Sequence, residues 1–147
     1  MRRDQDTLHP GHGSTQAVML LSREDDPNAH PFWYAEVLGA FLITVSYSGV
    51  RQTMDFLWVR WFGVMPSYRW GLKSARLPKI GFIPSDSGAA FGFVDPSLVL
   101  RACHLIPAFA DGRTNSLLPH GPSVARAADV FDDWAAYYVN MWVLRIY

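Results

Sequence analysis

Two runs of residues restrict the fold of this chain more than anything else in it: Phe32–Tyr47, FWYAEVLGAFLITVSY, and residues 55–62, DFLWVRWF. Aromatic and β-branched side chains crowd both; they pack well on a pleated surface and lose rotamer freedom in a helix. Lysine and glutamate occur only twice each, so straight-chain helix formers are too scarce for a helical bundle. Gln16–Leu21 (QAVMLL), residues 80–83, 89–94 and 99–109 (VLRACHLIPAF) read as further strands, and residues 134–147 (WAAYYVNMWVLRIY) as a closing one. The expected fold class is all-β with minor helix: one partly open barrel with long loops.

Turn-forming residues divide these strands. Pro27 and Pro31 forbid a ladder through residues 22–31, Ser48-Gly49 marks a tight turn, and residues 85–88 (SDSG) mark another. Gly39 stands where a long strand would bulge or bend. Asp95-Pro96-Ser97 suits a helix start, because aspartate caps and proline fits the first helical position. Residues 1–15 hold charge, glycine and proline with little to bury and read as a flexible arm. Residues 16–147 form the one domain that 147 residues comfortably close. Within it, residues 63–79 make a long loop of basic character, and residues 110–133 a polar loop, partly disordered.

Side chains alternate across a strand, so the two aromatic runs split into faces. Trp33, Ala35 and Val37 share one side; Tyr34, Glu36 and Leu38 share the other. Leu57, Val59 and Trp61 lie opposite Phe56, Trp58, Arg60 and Phe62. Burying Glu36 or Arg60 without a partner is costly, which assigns the Trp33 side to the core and makes Tyr34, Trp58 and Phe62 an outer, unusually apolar face. That face is either a docking surface for a cationic side chain or stacked bases, with Trp70 from the basic loop, or it is covered by a further strand or by that loop. Small β domains often bury both faces of their central strands.

Little in the sequence suits catalysis. Thirteen basic residues balance thirteen acidic ones, so no net field draws nucleic acid or an acidic membrane, and a nucleic-acid role would rest on a local patch: Arg60, Arg69, Lys73 and Arg76. His9 and His12 lack further ligands at zinc-site spacing. Cys103 and His104 are adjacent and point to opposite faces of a strand, leaving Cys103 as a small core residue. Asp25-Asp26 and Asp132-Asp133 read as solvated loop ends. No phosphate-cradling glycine loop, nucleophile elbow or zinc-protease motif is present. A lone cysteine fits a reducing compartment, and the longest apolar stretch falls well short of the ~20 residues of a bilayer span. The expectations are no enzyme activity, no cofactor, no metal, no small-molecule substrate and no membrane.

The strings RRDQDTLHP (2–10), HPFWYAEVLGAF (30–41), MDFLWVRWFG (54–63), FGFVDPSLVLRACHLIPAFADGRT (91–114) and YYVNMWV (137–143) resemble the C-terminal region of basidiomycete fungal proteins associated with Plavaka-type DNA transposons. That resemblance implies a remnant without the catalytic, transposase-like portion, in a nuclear setting. The order of the aromatic strands is also similar to bromo-adjacent homology (BAH) domains, which implies an SH3-like or BAH-like barrel and a chromatin or other protein partner. The expected function is therefore a non-catalytic protein or chromatin interaction module binding through Tyr34, Trp58, Phe62 and Trp70, with DNA binding as the alternative.

Overall fold

The computed structural model describes residues 5–6, 16–66, 68, 71 and 76–140. Ten strands follow in chain order: β1 (Gln5–Asp6), β2 (Gln16–Leu21), β3 (Phe32–Tyr47), β4 (Val50–Val64), β5 (Lys79–Phe82), β6 (Phe91–Val94), β7 (Val99–Pro107), β8 (Arg113–Thr114), β9 (Asp133–Trp134) and β10 (Tyr137–Asn140). Among the described residues the only helical pieces are 3-10 turns at Pro96–Leu98 and Phe109–Asp111, so the fold is all-β. The first turn starts as its sequence suggests: the Asp95 carboxylate accepts from the Ser97 amide, and Pro96 takes the first position.

All strand pairs are antiparallel, and β3, β2, β7, β10, β5 and β4 pair in that order, with β4 returning to β3. The ring is uneven: β3 and β4 run together from Ala35 to Tyr47, whereas β10 meets β5 only at Tyr137 and Tyr138. The result is a partly open barrel. Every strand of the ring sends side chains into its interior: Met19, Tyr34, Phe62, Ile80, Leu105 and Val139 are among the buried residues there, and Cys103 is one of them. A smaller core lies on the opposite side of the same strands, where Leu20, Ala35, Val59 and Val94 pack with Trp33, Trp61 and Val99 around them. Both faces of β3 and β4 are therefore covered near the barrel, and Trp33 and Trp61 meet edge to face at 6.0 Å between ring centroids.

Two local devices shape β3 and β4. The register shifts between Val37 and Gly39, leaving Leu38 as the extra residue of a bulge. At the far end Ser48 and Gly49 both take positive φ, 48° and 80°, the backbone that joins twisted strands through a two-residue hairpin turn. Residues 110–133 form a folded loop. The Arg126 guanidinium donates to the carbonyls of Leu118, Pro119 and Gly121 at 2.8, 2.7 and 2.9 Å and ties it together. The closing segment is two short strands, β9 and β10; residues 141–147 lie outside the described residues.

Candidate docking surface

The face bearing Tyr34, Arg60 and Phe62 is the barrel interior, which corrects its assignment to the outside. Strands β5 and β10 cover it, so Phe62 stacks on Phe82 at 4.3 Å and meets Tyr137 edge to face. Tyr34 is buried, and its hydroxyl and His30 Nε2 hydrogen-bond at 2.7 Å. Neither ring can meet a partner without opening the barrel.

Arg60 is the second correction. Its side chain is 1% exposed, lies 3.7 Å over the Phe82 ring, and makes two parallel bonds to Asp133 at 2.9 and 3.0 Å. Asp133, expected in solvent, is 4% exposed and also accepts from Arg126 at 3.1 Å. Burial alone would raise its pKa, but the hydrogen bonds and charges of two arginines outweigh burial and hold it below the ordinary carboxylate value. The buried charge does have a partner, but one that lies 73 residues away, at the end of a polar loop.

Glu36 stands between Ala17 of β2 and Arg60 of β4 in the ladder. Burial pushes its carboxyl up to about 7, with Arg60 opposing and Asp133 adding to the shift. His30 is lowered to about 4 by burial. The two act in opposite directions on stability. Raised Glu36 favours the fold below its ordinary 4.5 and loses that advantage as pH rises towards 7, while lowered His30 favours the fold above its ordinary 6.5 and loses it as pH falls towards 4. Thermal melts between pH 4.5 and 6.5 should thus be nearly flat for the native chain. Glu36→Gln should expose a melting temperature that climbs with pH, and should melt higher than the native chain at pH 8; a variant as flat as the native chain would refute this balance.

Trp58, half-buried, marks where the interior face leaves the barrel. It pairs with Phe93 of β6 on one side and Gly39 of β3 on the other. Past it the β3–β4 hairpin projects as a two-stranded arm whose register pairs Phe41 with Phe56, Ile43 with Met54, Val45 with Gln52 and Tyr47 with Val50 on one face, apolar but for Gln52. The intervening pairs, Leu42 with Asp55, Thr44 with Thr53 and Ser46 with Arg51, make the other face mostly polar, and the two threonine hydroxyls lie 3.4 Å apart. The apolar face is open: Tyr47 is 80% and Phe93 70% exposed, and Val45, Val50 and Met54 are exposed as well. Phe41 stacks on Phe56 at 5.2 Å, and Phe93 meets Phe56 edge to face at the same distance, so the base of the arm is a rigid aromatic cluster. Among the described residues β1 reaches β3 only at Ala40 and Phe41, and β6 reaches β4 only at residues 57–60, so both edges of the arm beyond them carry no neighbouring strand.

The basic loop is placed in part. Arg69, Trp70 and Lys73 lie outside the described residues. Arg76 is exposed, its guanidinium 5.7 Å from the Tyr68 ring. Beside it the Lys79 ammonium lies 5.6 Å from each of the Tyr68 and Tyr138 rings and bonds to Asp111 at 2.6 Å. Tyr68, Lys79 and Asp111, with Met65, Pro66, Ala135 and Ala136, border an open groove of about 430 Å³. Its lysine is already paired, which weakens its pull on an anion. Among the described residues no three His, Cys, Asp or Glu side chains gather as a metal site, and no helix is long and apolar enough to cross a membrane.

No family model, curated protein or solved structure matches the chain.

The arm is the surface that sequence reasoning passed over. Its signal is present as the alternation of Phe41, Ile43, Val45 and Tyr47 with Leu42, Thr44 and Ser46, mirrored after the turn by Val50, Met54 and Phe56. Only the hairpin register shows that the two apolar rows fall on one face.

Proposed function

We propose that the chain is a non-catalytic protein-interaction module that docks through the apolar face of the β3–β4 arm. One observation carries this reading: a two-stranded hairpin leaves Tyr47, Val50 and Met54 in water, with Phe93 of β6 exposed on the same side at its root, although an isolated two-stranded ribbon has little stability of its own and exposed contiguous apolar surface marks interaction sites. The sequence resemblance to the C-terminal region of Plavaka-type transposon proteins agrees with such a role, as an accessory segment working in the nucleus on a chromatin protein. Of the described residues first assigned to docking, Tyr34, Trp58 and Phe62, only Trp58 lies beside the surface, at its root.

A second reading, binding of nucleic acid, draws on Arg76 and Lys79 set against Tyr68 and Tyr138. It is weaker, because Arg60 is spent on Asp133 and Lys79 on Asp111. Titration of labelled histone-tail peptides, nucleosome particles and duplex DNA at low and high salt separates the two. Salt-insensitive binding to a protein probe, lost in Tyr47→Ser/Phe93→Ser but kept in Arg76→Ala, is the expected result. Binding to DNA alone, falling steeply with salt and lost in Arg76→Ala, would replace this reading with the second.

A further inference from the structure

The arm has the properties of a self-complementary interface, and we infer that its occupant is a second copy of this chain, two arms packing apolar face to apolar face about a twofold axis. This inference rests on the docking role just proposed and names the partner. Three observations favour it.

The first is amphipathicity within the arm itself. When two such ribbons stack as small sheets do, ~10 Å apart, Tyr47, Val50, Met54 and Phe93 are withdrawn from water, while Thr44, Ser46, Arg51, Thr53 and Asp55 stay on the outer sides. Edge-to-edge pairing would satisfy the backbone edges that carry no strand among the described residues but leave the apolar face wet, so face-to-face stacking removes more apolar surface. The second is area. The exposed parts of Tyr47, Phe93, Val45, Val50 and Met54 amount to roughly 600 Å² per copy at most, which full burial would bring towards the ~800 Å² that each partner contributes to a standard interface. The third is charge. Thirteen basic residues balance thirteen acidic ones, so two copies meet without net repulsion, and the arm carries one Arg and one Asp, both on its outer face. A twofold contact also closes on itself, which keeps an exposed hairpin from growing into a fibre.

Sedimentation velocity of the full chain over a range of concentrations tests this. The expected result is a reversible monomer–dimer equilibrium that Tyr47→Ser/Phe93→Ser weakens by roughly 30-fold or more, as removal of a buried aromatic anchor does, with the melting curve of the monomer unchanged. Met54→Asp and Met54→Lys supply a second measurement: each alone should be monomeric, and an equimolar mixture should recover the dimer. A native chain that stays monomeric at every concentration overturns the inference, as does a dimer indifferent to all of these substitutions. If the native chain is monomeric and Tyr47→Ser/Phe93→Ser still abolishes binding to a protein probe, the second copy is wrong and the docking role stands. If that double variant changes neither, both fail.

Discussion

Asp133→Ala is expected to abolish cooperative folding or reduce it to a marginal transition, at a cost of ~3–5 kcal/mol, the usual penalty for removing one partner of a buried ion pair. Few domains of this size have more than ~5–15 kcal/mol to lose. The reason is specific to its position. One carboxylate serves Arg60 from the barrel wall and Arg126 from the long loop, and all three side chains are nearly inaccessible to water. Without it Arg60 loses both of its paired hydrogen bonds and is left with the face of Phe82 and the Glu36 carboxyl across the ladder, while Arg126 is left with its backbone carbonyls. Arg60→Met should cost distinctly less, because Asp133 then still has Arg126 and a linear apolar chain fills the space over Phe82. Urea titration of the two variants checks the order. Equal costs would mean that the loop's arginine and the wall's arginine are held independently of the shared carboxylate.

Phe62→Ala is expected to have the second largest effect, a loss of ~3–5 kcal/mol from a core ring stacked on Phe82 and abutting Tyr137. Phe93→Ala, at an open position where the ring keeps only its edge contact with Phe56, should cost no more than ~0.5–1.5 kcal/mol. The pair is informative because the two rings are similar in chemistry and lie on the same side of the sheet. If Phe62→Ala left the melting curve intact and instead weakened association, the ring would be facing a partner and the barrel would not close as described.

Composition and turn chemistry carried most of the architecture. Gln16–Leu21 and Phe32–Tyr47 form strands over those very residues, the turn at Ser48-Gly49 and the capped turn at Asp95 stand where their residues require them, and the bulge expected at Gly39 falls one residue earlier, at Leu38. What the sequence withheld is long-range. Nothing near Arg60 in the chain announces Asp133, so a charged side chain on an aromatic strand pointed outwards, and Tyr34 and Phe62 were carried out with it. Strand β10 reaches across β5 and β7 from the far end of the chain to cover that face, a pairing that local propensity does not encode. The two-faced burial was legible as an option, because Trp33, Val59 and Trp61 on one side and Tyr34 and Phe62 on the other are all too large and apolar to leave in water. The arm was missed for a related reason: strict alternation from Tyr34 places Leu38 on the same side as Glu36, and the bulge breaks that count.

That extra residue has a consequence for how the hairpin tolerates change. On β3 the interior side of the barrel is written in even numbers, Tyr34 and Glu36, but the apolar side of the arm is written in odd ones, Phe41, Ile43, Val45 and Tyr47. Leu38 is the phase shift between two reading frames of side chains. Losing it would leave every pairing partner beyond it in place, whereas losing any one residue between Phe41 and Tyr47 would set the two strands of the arm out of phase and put polar side chains among the rings. Length variation in this hairpin should therefore arrive in pairs of residues across the turn, with position 38 as the place where a single insertion or deletion is absorbed.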